Sequence, residues 1–145
     1  MISMLAISEA SSIAVHLCVR LTKTGDVFYS TRKVAEELDL SVHHLAKVVQ
    51  KLVKAGILES SRGSQGGVKL IRGKENVSVA ELNAAVVDLE RGGCLLSQKV
   101  CTGCKCSFGK WMTSESAKIE AVLQKTTIQE IADSMSEPTN LTTKE

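Results

Sequence analysis

Apolar residues recur at three- and four-residue steps through most of the chain, interrupted once by two short β-prone runs. That rhythm predicts a mostly α protein with one small β-hairpin. Over residues 7–22, Ile7, Ala10, Ala14, Leu17, Cys18 and Leu21 share one helical face. Cys18 on that face reads as a small buried hydrophobe. Gly25-Asp26 marks a turn. Ser30 or Thr31 then caps a second helix, RKVAEELD, with Val34, Ala35 and Leu38 inward. After a tight break at Leu40-Ser41, Ser41 caps a third helix. Its apolar face is Val42, Leu45, Val48, Val49, Leu52 and Val53, and Ala55-Gly56 ends it.

The other face of the third helix carries His43, Lys47, Gln50 and Lys54 at its centre, flanked by His44 and Lys51. It holds no acidic residue, whereas an ordinary solvated face mixes both signs. Two short helices around a tight break, the second basic and amphipathic, form the helix-turn-helix pattern. Next, ILESS and VKLI flank the glycine-rich turn RGSQGG, which reads as a hairpin. Placed after a recognition helix, a hairpin is the wing of a winged helix. Arg62 sits at its tip and Lys69 on its returning strand. A thin basic tip suits a minor groove.

Ser78 to Glu81 is a capping box opening a fourth helix, which Arg91-Gly92-Gly93 stops. A long helix follows over about Phe108 to Lys125, with Trp111, Met112, Ile119, Val122 and Leu123 as its apolar residues. Thr127 to Glu130 is a second capping box, starting a short helix. From Ser136 the chain is polar and reads as a flexible tail. The expected organisation is a winged helix-turn-helix DNA-binding domain (1–75), a linking helix and cysteine-rich loop (76–110), dimerisation helices (111–135) and the tail (136–145). The long helix would expose its apolar stripe unless it paired, most simply with a second copy of the chain. A partner within the chain, such as the first helix, is the competing explanation.

Composition sharpens this picture. Aromatic residues are only 3%, so Leu, Val, Ile and Ala must fill the core, as suits helices. Residues 1–74 hold 11 Lys and Arg against 6 Asp and Glu; residues 75–145 hold 7 against 10. A basic front half and acidic back half suggest an anionic partner at one end. The longest apolar stretch is too short to cross a bilayer, and no signal peptide is evident, so a cytoplasmic protein without membrane contact is expected. No paired carboxylates, nucleophile–base set or phosphate loop appears, so nothing argues for an enzyme.

Four of the five cysteines crowd into residues 94–106, as Cys94, Cys101, Cys104 and Cys106. In a reducing compartment, that density points to metal or redox chemistry rather than disulfides. Structural zinc sites use two separated C-x2-C pairs, and only Cys101 and Cys104 make one here. An iron–sulfur cluster spans several ångströms and tolerates irregular spacing, which favours it over zinc. Metal-free thiol sensing is a third option, since Lys99, Lys105 and Lys110 would favour thiolates. A small electron-transfer protein could use the same cysteines, but would not need the basic helix and wing.

The order of elements, with LVKAGILESSRGSQGG and the cysteine loop, resembles the winged-helix iron–sulfur transcriptional regulators of bacteria, the IscR/NsrR type. The likeness runs over about residues 5–135. It implies a homodimeric regulator, a repressor by expectation, bound to palindromic double-stranded DNA. It also implies a [2Fe–2S] or [4Fe–4S] cluster sensing redox state, nitric oxide or iron–sulfur status. Carried over by position, the ligands are Cys94, Cys101 and Cys106, with Cys104 as alternative or fourth ligand. His43, His44, Lys47 and Gln50 would face the major groove; Arg32, Lys33, Lys51 and Lys54 would touch phosphates; Arg62 would enter the minor groove. The chain also departs from the family pattern. Its cysteine gaps are six and four, and Gly109 stands where one branch has a ligating histidine. Ser12, with Glu9 and His16 a turn to either side, stands where other branches place an acidic ligand, and Ala46 replaces a base-reading glutamate.

Overall fold

A computed structural model describes residues 8–87 and 106–135. The first helix, α1 (Glu9–Thr22), starts at Ser8, whose side chain accepts from the Ser11 N–H at 3.1 Å. Of its predicted apolar face, Ala14, Leu17, Cys18 and Leu21 are buried with Ile13 beside them, Ala10 is half-buried, and Ile7 lies outside the described residues. Burial without a polar partner pushes the Cys18 thiol up to about 12, so it serves as packing.

The second helix, α2 (Thr31–Glu37), ends two residues earlier than the pattern suggests. Asp39 takes a left-handed φ of 50°, and the Leu40 N–H returns to the Ala35 carbonyl at 2.8 Å. That is a Schellman stop with aspartate in the place glycine usually fills. The third helix, α3 (Val42–Lys54), stops the same way at Gly56, where φ is 70° and the Ile57 N–H reaches the Leu52 carbonyl at 3.0 Å. Ile57 and Leu52 are both buried, so the stop also places the following strand on the core. Leu45, Val48, Val49 and Leu52 are buried as the α3 periodicity requires.

Strands β1 (Leu58–Ser61) and β2 (Gly67–Leu70) form an antiparallel hairpin, with Leu58 opposite Leu70 and Ser61 opposite Gly67. Tyr29, just before α2, bridges to Val68 by two backbone bonds of 2.8 and 2.9 Å. The hairpin is therefore fastened to the segment between α1 and α2.

Helix α4 (Val79–Val86) opens with the expected capping box at Ser78 and Glu81. Helix α6 (Ile128–Ser134) opens with the one at Thr127 and Glu130. The two boxes lie side by side, because Val79 N–H bonds the Thr126 carbonyl and Ile128 N–H bonds the Val77 carbonyl. This join brings α6 onto α1, with Ile128 and Ala132 buried in the same core as the winged helix. Between them runs α5 (Ser107–Lys125), none of whose residues is buried. Phe108, Trp111 and Val122 on it are 52%, 45% and 62% exposed, so among the described residues nothing covers these three side chains fully. Among the described residues no helix is long and apolar enough to cross a membrane.

Candidate nucleic-acid interface

Burial of one face of α3 obliges the opposite face to look outward. His43, His44, Lys47, Gln50 and Lys54 are all exposed on it, and its first turn has no acidic residue. The structure brings one acid near this face from elsewhere: Glu9 of α1 lies 3.4 Å from His44 Nδ1. Arg32 and Lys33 are exposed on the first turn of α2, and Arg62 is exposed at the tip of the hairpin. The residues assigned to DNA from sequence thus sit on α2, α3 and the hairpin of one winged helix.

Within the winged helix, Lys51 and Lys69 have partners inside the protein. Lys51 donates from Nζ to the Val86 carbonyl at 2.8 Å, joining α3 to the end of α4. Lys69 donates to Asp26 at 2.8 Å, lies 3.6 Å from Glu59 and stacks over the Phe28 ring. The hydrogen bond to Asp26 raises the Lys69 pKa and lowers that of Asp26, so both stay charged near neutral pH. Lys69 therefore braces the base of the wing. Its partner Glu59 was open to sequence reasoning, since the two stand opposite in the hairpin register. A further brace escaped it. Arg20 Nε donates to Glu37 Oε2 at 2.7 Å, and Tyr29 donates its hydroxyl to Glu37 Oε1. The hydrogen bond from Arg20, reinforced by that from Tyr29, holds the Glu37 carboxyl below its usual range. These three side chains lock α1, α2 and the wing attachment together.

Of the loop cysteines, Cys106 is described; Cys94, Cys101 and Cys104 lie outside the described residues. Cys106 is exposed and caps α5, its Sγ accepting from the Gly109 N–H at 3.4 Å. Gly109 leaves the flank of this sulfur without a side chain. Among the described residues no three metal-ligating side chains converge, and Cys106 is the one loop cysteine whose surroundings are described. An exposed thiol with an open flank fits the donor set of an iron–sulfur cluster.

The Rrf2 family profile, described as iron-dependent transcriptional regulator, matches residues 7–134. The chain is 38% identical over 64 residues to the HTH-type transcriptional regulator IscR of Cereibacter sphaeroides, covering 44% of this chain and 41% of that protein. It is 32% identical over 105 residues to the HTH-type transcriptional repressor NsrR of Streptomyces coelicolor, covering 62% of this chain and 71% of that one. Several curated relatives are matched over about half of their own length or less. Among solved structures, T. potens IscR superposes with a TM-score of 0.71 at 25% identity, covering 93% of this chain and 91% of that one. The winged helix with its exposed recognition face, and a family match over nearly the whole chain, place the protein in the Rrf2 family of DNA-binding transcriptional regulators.

Proposed function

We propose that the protein is a cytoplasmic repressor that binds a palindromic operator as a homodimer, its affinity controlled by an iron–sulfur cluster. The observation that carries this reading is the exposed face of α3, to which α3 itself contributes no acidic residue, together with the exposed Arg62 of the wing. His43, His44, Lys47 and Gln50 would meet base edges, where Lys suits guanine and Gln suits adenine. Arg32, Lys33 and Lys54 would position the protein on phosphates. The uncovered apolar residues of α5 support pairing with a second copy, which sets two recognition helices for two half-sites.

Cys94, Cys101 and Cys106 would hold the cluster, with Cys104 as alternative or fourth ligand. When bound, such a cluster supplies reversible sensitivity to redox state, nitric oxide or iron supply. Of the chain's own residues, Cys106 is the point where that sensitivity enters α5, because it is the first cap of that helix. A change there would shift α5 and with it the spacing of the two recognition helices.

A metal-free thiol sensor is the second reading. It is favoured by the same Cys106, an exposed sulfur receiving a backbone N–H at a helix N-terminus. Visible absorbance after anaerobic purification separates the two.

Arg62→Ala is expected to weaken operator binding by about 1–3 kcal/mol, the cost of losing one specific contact. Unchanged affinity in a gel-shift titration would remove the wing from recognition.

A further inference from the structure

The last turn of α4 is gripped from two sides. Ser11 of α1, buried, donates its hydroxyl to Asn83 Oδ1. From α3, Lys51 Nζ donates to the Val86 carbonyl at 2.8 Å. Val86 is the final residue of α4, and its carbonyl is among the four that a helix leaves without an intrahelical donor. The ammonium is therefore a C-terminal cap supplied by a neighbouring helix, where a positive charge also meets the negative end of the helix dipole. Lys51 is half-buried at a groove of about 200 Å³ that Ile13, Val48 and Val86 also line. Lys47 and Lys54, one turn to either side, are exposed.

We propose that Lys51 is a positioning residue, one that sets the rotation of α3 and thereby aims His43, Lys47 and Gln50, rather than a phosphate ligand. The proposal rests on the reading of α3 as the DNA-facing helix. Apolar packing alone lets a helix roll by small amounts about its axis. A directional bond from the third turn of α3 to the fixed end of α4 opposes that roll.

Salt-dependent titration separates the roles, because each phosphate contact adds about 0.9 to the slope of log affinity against log salt. An operator selected from a random duplex library and a random duplex would be titrated over a range of KCl. Lys54→Met should lower the slope by about 1 per subunit. Lys51→Met should leave the slope unchanged and reduce the preference for operator over random duplex by about tenfold. Lys51→Arg, which keeps a charged donor, should retain that preference. A lowered slope with preference intact, or no change in either, would overturn the proposal. Wild-type protein that binds no duplex would instead remove the DNA reading beneath it. Should Lys51→Met fail to fold, amine acetylation of wild-type protein without DNA gives the same decision. Lys51 should react more slowly than Lys47 and Lys54, since it is half-buried and hydrogen-bonded to the Val86 carbonyl whereas they are exposed. Equal rates would overturn the assignment.

Discussion

Gly67→Ala is expected to detach the wing and to destabilise the protein by about 3 kcal/mol, the combined scale of local strain and overpacking. Gly67 has φ +154°, which side chains rarely adopt. A Cβ there would lie 2.2 Å from the Tyr29 carbonyl oxygen and 2.5 Å from its carbon. Neither neighbour can retreat easily. The Tyr29 backbone is bridged twice to Val68, and its hydroxyl is held by Glu37, itself held by Arg20. Relief therefore requires breaking the bridge that fastens the hairpin to the rest of the fold. Gly63 is the control: its φ is 111°, but nothing lies within 4 Å of a Cβ there. Gly63→Ala should cost only about 1 kcal/mol of backbone strain. Urea unfolding of both variants checks this; equal midpoints would mean that close approach at Gly67 does not decide the wing.

Cys106→Ala should leave the fold nearly intact and abolish the cofactor. The residue is exposed, and removing its cap of α5 costs on the order of 1 kcal/mol. Wild-type protein purified anaerobically should be brown and hold iron and sulfide. The variant should retain less than about a tenth of that visible absorbance, since a cluster missing a protein thiolate is poorly held. Its operator affinity should then no longer respond to nitric oxide or oxidant. Full colour in the variant would assign the ligand to Cys104 in its place. A colourless wild type holding stoichiometric zinc would end the iron–sulfur reading.

Much of this molecule is visible in its residue pattern, for identifiable reasons. Most of the faces of α1 and α3 follows from period alone, because each buries one stripe against a single core; Val42, in the first turn of α3, is the exception at 49% exposed. Both capping boxes form as spaced, since Ser78–Glu81 and Thr127–Glu130 are local bonds. Ala55-Gly56 marks its helix end because glycine takes the left-handed position without strain. Asp39 hides the end of α2, since aspartate in that position reads as helix continuation. The pairing of Tyr29 with Val68 is a single bridge with no period to announce it. The join between the two capping boxes links residues almost fifty positions apart, and local patterning carries no trace of it. The basic face of α3 is legible as a set of charges. What escapes a charge pattern is whether an ammonium looks outward or inward, and Lys51 and Lys69 both have partners within the fold. The ligand set of the cysteine stretch rests on spacing and family likeness, because Cys94, Cys101 and Cys104 lie outside the described residues.

Lys47 lies at the centre of the face on which the whole functional reading depends, exposed and on the opposite side from the buried Leu45 and Leu52. The most direct measurement is therefore fluorescence anisotropy of a library-selected operator titrated with wild type and with Lys47→Glu. Wild type should bind with affinity that falls steeply as salt rises, and the charge reversal should weaken binding by at least about a hundredfold, since it removes an attraction and places a carboxylate against bases and phosphates. Equal affinity of the two proteins for that operator would contradict α3 as the DNA-reading helix.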